Sequence, residues 1–179
     1  MKSKFIHLLI PFALCIWIVS CQTQANETKP PVDVNQEKEL IKTAITTLTT
    51  AHANSDADAW LGQWVPEPYV FISAADSGGH FFVKNYDTLA ALYNRFWPKN
   101  YDGPPRPRVT LEPYDFFIRV CDTMATAEFK IKWEGKMTID DSVFVRNWET
   151  YENYSMEKRS DDWKVASISA VGLTSYQRE

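Results

Sequence analysis

Histidine, cysteine and glycine are scarce in this chain, at three, three and six among 179 residues. Their scarcity removes several chemistries. No group of His, Cys, Asp and Glu has the spacing of a metal site. The pair Gly78-Gly79 reads as a turn, and no glycine-rich loop follows a strand to cradle a phosphate. No serine or cysteine sits in a nucleophile motif. Nor is there an excess of positive charge: 19 bases face 23 acids, a net charge of −4. A mildly acidic chain is a poor partner for nucleic acid or anionic lipid. No metal, cofactor or nucleic acid is therefore implied. Aromatic residues, by contrast, are plentiful at 14%, within 45% apolar residues, enough for one substantial core.

The N-terminus reads as a secretory signal, with Lys2 and Lys4 before an apolar run from Phe5 to Val19 that Pro11 interrupts. This run is short for a membrane span, and polar residues follow it. Ile18-Val19-Ser20-Cys21 resembles the lipobox of bacterial lipoproteins, and the resemblance implies lipidation of Cys21 as the first residue of the mature chain. Several acyl chains hold a protein stably at a membrane where one does not. Gln22, rather than Asp, at the next position implies the outer membrane facing the periplasm. The expected organisation is a lipoprotein signal peptide over 1–20, a flexible polar tether over 21–35 with Pro30-Pro31, and one folded domain over 36–179. Processing takes the net charge to −6, since residues 1–20 carry two lysines and no acid. It also leaves Cys121 without a disulfide partner and best read as a small buried residue.

Within the domain, Leu40, Ile41, Ala44, Ile45, Leu48 and Ala51 recur at helical spacing from Gln36 to about Ser55, with threonines on the opposite face. His52 stands near the C-terminal end, where a positive charge is favoured. Ser55 and Asp58 read as the N-cap and its partner for a short helix carrying Trp60, Leu61, Trp64 and Val65, ended by Pro66. Short strands are expected over Tyr69–Ala74 and His80–Lys84. Asn85 then caps a third helix bearing Leu89, Leu92, Tyr93, Phe96 and Trp97. Four prolines stiffen the segment 98–108, whose bases are Lys99, Arg106 and Arg108.

Beyond that segment the pattern is strand. Val109–Val120 turns near Asp122 into Met124–Glu134, where Ala125, Ala127, Phe129, Ile131 and Trp133 alternate with polar residues, the mark of a sheet with one buried face. A loop over 135–142 leads to a long hairpin, Val143–Val171, turning at Ser160-Asp161-Asp162. Twist accumulated along such strands leaves a concave face that needs a cover. On its first strand Phe144, Arg146, Trp148, Thr150, Glu152, Tyr154 and Met156 share one face; a bulge would instead turn Tyr151 and Asn153 inward.

Three motifs in order, Ser55-Asp56-Ala57-Asp58-Ala59-Trp60, Val120-Cys121-Asp122-Thr123-Met124-Ala125 and Asp161-Asp162-Trp163-Lys164-Val165, resemble those of the nuclear-transport-factor-2-like superfamily. That superfamily includes ketosteroid isomerases and dehydratases, and the resemblance covers Glu37 to Val171. It implies an α+β cone with a cystatin-like fold: three N-terminal helices on a strongly curved antiparallel sheet of four long strands plus one or two short ones. It implies a pocket between sheet and helices, and for many members dimerisation through the outer sheet face. The family's isomerases place a tyrosine donor on the first helix, which has none here. They place their base after the second helix, where Pro66-Glu67-Pro68 stands. The dehydratases use paired histidines, and here only His52 and His80 follow the signal.

The expected ligand-binding residues are Trp64, Tyr93, Trp97, Tyr114, Arg146, Trp148, Glu152 and Tyr154, a few polar groups in an aromatic cleft. Such a cleft suits a hydrophobic or aromatic small molecule. If the pocket is catalytic, Asp115 or Glu152 is the candidate base and Tyr114 or Tyr154 the donor, acting on a small carbonyl compound. A homodimeric or partner-binding role is the third alternative.

Overall fold

The computed structural model describes residues 33–76, 78–103, 106, 108–139 and 142–173, so the expected signal peptide and most of the tether lie outside the described residues. The elements run α1 (Val34–Ala53), α2 (Ala57–Leu61), β1 (Phe71–Asp76), β2 (Gly79–Lys84), α3 (Tyr86–Phe96), β3 (Arg108–Cys121), β4 (Met124–Ile139), β5 (Ser142–Arg159) and β6 (Asp162–Leu173). The six strands form one sheet in the order β2-β1-β6-β5-β4-β3. Every neighbouring pair is antiparallel except β1 and β6, which run parallel, so the sheet is mixed rather than wholly antiparallel. The helices are not a block before the sheet either: the β1–β2 hairpin separates α2 from α3. Such long-range parallel pairing leaves no local sequence mark.

Helix α1 begins where Asp33 caps it, its side chain accepting from the backbone N–H of Asn35 and Gln36. Ile41, Ile45 and Leu48 bury its apolar stripe completely or nearly so. The hydroxyls of Thr43, Thr46 and Thr47 donate to carbonyls one turn back, which lets this threonine-rich face remain helical. Thr49 departs from that face and is buried. The start of α1 is tied to the β5–β6 hairpin through Glu37. One carboxylate oxygen accepts from Lys158 Nζ at 2.6 Å and the other from Trp163 Nε1 at 2.7 Å.

Helix α2 is a single turn. Its cap is Asp56, which accepts from Ala59 N–H, not Ser55, which takes a positive φ of 54°. The helix ends at Leu61 before Gly62, so Trp64 and Val65 follow it and pair instead alongside Val165 of β6. Asn85 caps α3 through Thr88 N–H as its position suggests. Residues expected as the loop 135–142 mostly extend β4 and β5.

Two irregularities decide which side chains face inward. In β3, Asp115 and Phe116 together oppose Phe129, with Asp115 at φ 59°. This bulge turns Tyr114 and Asp115 to the outer face while Phe116 and Ile118 point to the core. In β6, Ala166 is the extra residue between the pairs Ser155–Ser167 and Met156–Val165. Because that extra residue lies on β6, the alternation of β5 survives. Glu152, Tyr154 and Met156 are buried, and Tyr151 is exposed. The turn between β3 and β4 leaves Cys121 exposed, against the expectation of a buried thiol.

Candidate functional site

Between α1, α3 and the inner sheet face lies a cavity of about 110 Å³. Leu48, Ile72, Leu111, Ile131 and Ile168 supply apolar walls, Trp60, Tyr93, Trp133 and Tyr154 aromatic ones, and Thr49, His52 and Glu152 polar groups. Tyr93 stacks on Trp60 with ring centroids 3.7 Å apart, which fixes both rings.

Glu152 is only 4% exposed. Among the described residues no lysine or arginine forms an ion pair with it. Burial raises its carboxyl pKa to about 7, a shift that the Thr150 hydrogen bond partly opposes. The Thr150 hydroxyl donates to Glu152 Oε1 at 2.7 Å and itself accepts from Trp133 Nε1–H at 2.9 Å. An indole N–H can only donate and an ionised carboxylate can only accept, so with Glu152 ionised the Thr150 hydroxyl accepts from Trp133 and gives its one proton to Glu152.

The phenols of Tyr93 and Tyr154 are raised well above the ordinary tyrosine range by burial and further by the charge of Glu152. They remain protonated donors at every physiological pH. Burial acts oppositely on His52, pushing its pKa down to about 4. Its ring meets Trp97 at 4.9 Å and Trp133 at 5.5 Å, both edge-on. A neutral ring in an aromatic box adds little to the α1 dipole, so the expected charged helix-end role gives way to a cavity-lining one.

A larger cleft of about 460 Å³ shares Ala170 with this cavity and is lined by Arg146, Trp148, Glu149, Thr150 and the β1–β2 turn. Trp148 stacks on Trp133 at 5.3 Å, and Arg146 lies over Trp148. Gly135, on the neighbouring strand, leaves room for this stack: a Cβ there would come within 3.3 Å of the Trp148 ring.

The residues singled out from sequence therefore separate. Tyr93, Glu152 and Tyr154 meet in the inner cavity, and Arg146 and Trp148 line the adjoining cleft. Trp97 packs against His52 from outside the cavity lining. Trp64 is 2% exposed and belongs to the core beside Trp60. Tyr114 and Asp115 do not take part: Tyr114 donates to Glu149 at 2.8 Å, and Asp115 is exposed and paired with Lys130 at 2.9 Å. The β3 bulge is the physical reason, and it removes Asp115 as a pocket base. Thr49, His52, Trp133 and Thr150 line or support the cavity without having been singled out for it. The inward alternation of β4 already placed Trp133 on the right face.

No family model matches the chain, and no curated protein matches it. Solved structures do share its fold, and they are nuclear-transport-factor-2-like, ketosteroid-isomerase-like and cystatin-like proteins. A candidate dehydratase of the nuclear-transport-factor-2-like family from Streptomyces avermitilis aligns with a TM-score of 0.63 at 14% identity, over 79% of this chain and 99% of that one. A nuclear-transport-factor-2-like protein from Salmonella enterica serovar Typhimurium gives 0.59 at 16% identity, over 80% and 95%. A ketosteroid isomerase-like protein from Erwinia carotovora gives 0.54 at 17% identity, over 79% and 99%. The chain thus has the α+β fold of this group, with a six-stranded mixed sheet. At such identities the likeness extends to fold alone.

Proposed function

We propose that this chain is a membrane-tethered bacterial lipoprotein whose cone binds a small apolar or aromatic molecule bearing one hydrogen-bonding oxygen. The observation that carries the reading is Glu152: a carboxyl enclosed in an aromatic cavity, held from one side by Thr150 and left near its midpoint at neutral pH. Buried acids are costly unless paired, and this one is arranged to share its proton with a guest. A cavity of about 110 Å³ holds a few heavy atoms. A larger ligand would place its polar end there and its body in the cleft along Trp148 and Arg146. Tethering through Cys21, an outer-membrane location and a dimer through the outer sheet face belong to the same proposal.

The direct test is mass spectrometry of organic extracts from protein purified without detergent exchange. Wild-type protein should carry a small molecule that Glu152→Gln and Glu152→Leu variants lose or retain weakly. Equal loading of all three would remove Glu152 from the reading. Cys21→Ser should abolish fatty-acid labelling and release the protein from membranes.

Acid–base catalysis is the second reading, and the pKa of Glu152 near 7 favours it. A general base works best when poised close to the operating pH, with the protonated phenols of Tyr93 and Tyr154 available to donate to a developing oxyanion. Exchange of the α-protons of cyclohexanone in heavy water measures this. Acceleration by wild type but not by Glu152→Gln supports an isomerase- or dehydratase-like activity, and equal rates leave binding alone.

A further inference from the structure

A second pocket, of about 470 Å³, opens beside Trp97, between the start of α2 and the described residues Tyr101, Arg106 and Arg108. Its lining concentrates cations within an acidic chain: Lys99, Arg106 and Arg108, against Asp56 and Asp58. Both acids are already engaged. Asp56 caps α2 through Ala59 N–H, and Asp58 pairs with Lys99 at 2.6 Å. Neither arginine has a carboxylate partner among the described residues. Arg106 lies with its guanidinium 4.3 Å over the Tyr101 ring, and its Nη2 is enclosed without a hydrogen-bond acceptor. A buried guanidinium N–H with no acceptor is rare and calls for one.

We propose that this pocket is a binding site for a small organic carboxylate with a flat apolar body, held by the Arg106 and Arg108 guanidinium groups. A planar fork matches a carboxylate bidentately, and stacking on Tyr101 holds the fork in one plane. Trp97, Pro98 and Tyr101 offer an apolar wall for the body. The engaged but nearby carboxylates of Asp56 and Asp58 disfavour a doubly charged anion and so favour a carboxylate over a phosphate. This site is separate from the Glu152 cavity, and neither reading depends on the other.

Benzoate is the probe, titrated by NMR while arginine Nε–H and tryptophan indole resonances are followed, with inorganic phosphate in a parallel titration. Benzoate should shift the Arg106 and Arg108 signals and the Trp97 indole at millimolar concentration, and the Trp133 indole of the inner cavity should stay in place. Arg106→Gln with Arg108→Gln should weaken binding about tenfold or more, the loss expected for charge-assisted hydrogen bonds. Arg106→Lys, which keeps the charge and loses the fork, should weaken it by a smaller factor and covers the case in which the double variant does not fold. Benzoate binding that is unchanged in these variants, or that moves only Trp133, overturns the assignment. So does phosphate shifting the same arginine signals at lower concentration than benzoate.

Discussion

Thr150 donates its hydroxyl proton to Glu152 Oε1 across 2.7 Å, two residues along the same inward face of β5. The same hydroxyl accepts from Trp133 Nε1–H at 2.9 Å, which anchors it beside the carboxylate. The Glu152 carboxyl pKa, raised by burial, is therefore held partly in check by an uncharged threonine.

Removing that hydrogen bond should push the Glu152 pKa further up, because Thr150 is the cause that lowers it. Thr150→Val is the test, since it keeps the β-branched shape, and Thr150→Ser should restore the wild-type value. Infrared absorption of the protonated carboxyl, titrated against pH, reads the shift. The valine variant should also lose about 1 kcal/mol of stability in urea unfolding. A valine variant that titrates as wild type does would show that the hydroxyl does not act on the carboxyl.

The stability of the fold between pH 4 and 7 should conceal two opposed slopes. The Glu152 pKa is raised from 4.5 to about 7. Its contribution is fully present below about 4.5 and is lost as pH rises through 7, by roughly 3 kcal/mol. The His52 pKa is lowered from 6.5 to about 4, so its contribution is present above 6.5 and is lost as pH falls through 4. Across the shared window the two largely cancel. In Glu152→Gln, stability relative to wild type should rise with pH from about 4.5 to 7; in His52→Phe it should fall from about 4 to 6.5. Parallel curves for both variants and wild type would contradict the assigned shifts.

Glu37 ties the first helical turn to the hairpin at the far end of the chain, through Lys158 and Trp163. Glu37→Leu leaves a buried indole N–H and a half-buried ammonium without their acceptor and should cost about 2 kcal/mol. Glu37→Gln keeps an acceptor for one of them and should cost less. Urea midpoints order the three proteins. The Lys158 hydrogen bond, more than any other cause, holds the Glu37 carboxyl below its ordinary value, so its contribution is lost as pH falls through that lowered pKa.

Much of this architecture is written in local patterns. The stripe of α1, the Asn85 cap and the alternation Ala125 to Trp133 each follow from short-range spacing and point to the element that forms. Glu152 and Tyr154 also follow, as the buried even-numbered residues of a strand, provided the alternation holds. Whether it holds depends on where a bulge falls. Asp115 shows the difficulty: one extra residue opposite Phe129 turns it and Tyr114 outward, and an aspartate tolerates the positive φ that makes this possible. The parallel pairing of β1 with β6 joins residues almost a hundred apart in sequence, beyond the reach of any local signal. His52 was legible only as the end of a helix. Its neutrality comes from Trp97 and Trp133, which two separate elements bring to it.

The Glu152 carboxyl is where binding, pH dependence and the second, catalytic reading meet, and its ionisation can be observed directly. Carbon-13 NMR of glutamate side chains, with the Glu152→Gln spectrum identifying the signal, follows the carboxyl from pH 3 to 9. The expected result is a midpoint near 7 in the folded protein. A midpoint in the ordinary glutamate range, about 4 to 5, would mean that the cavity does not hold a proton to share, and would contradict the account at its centre.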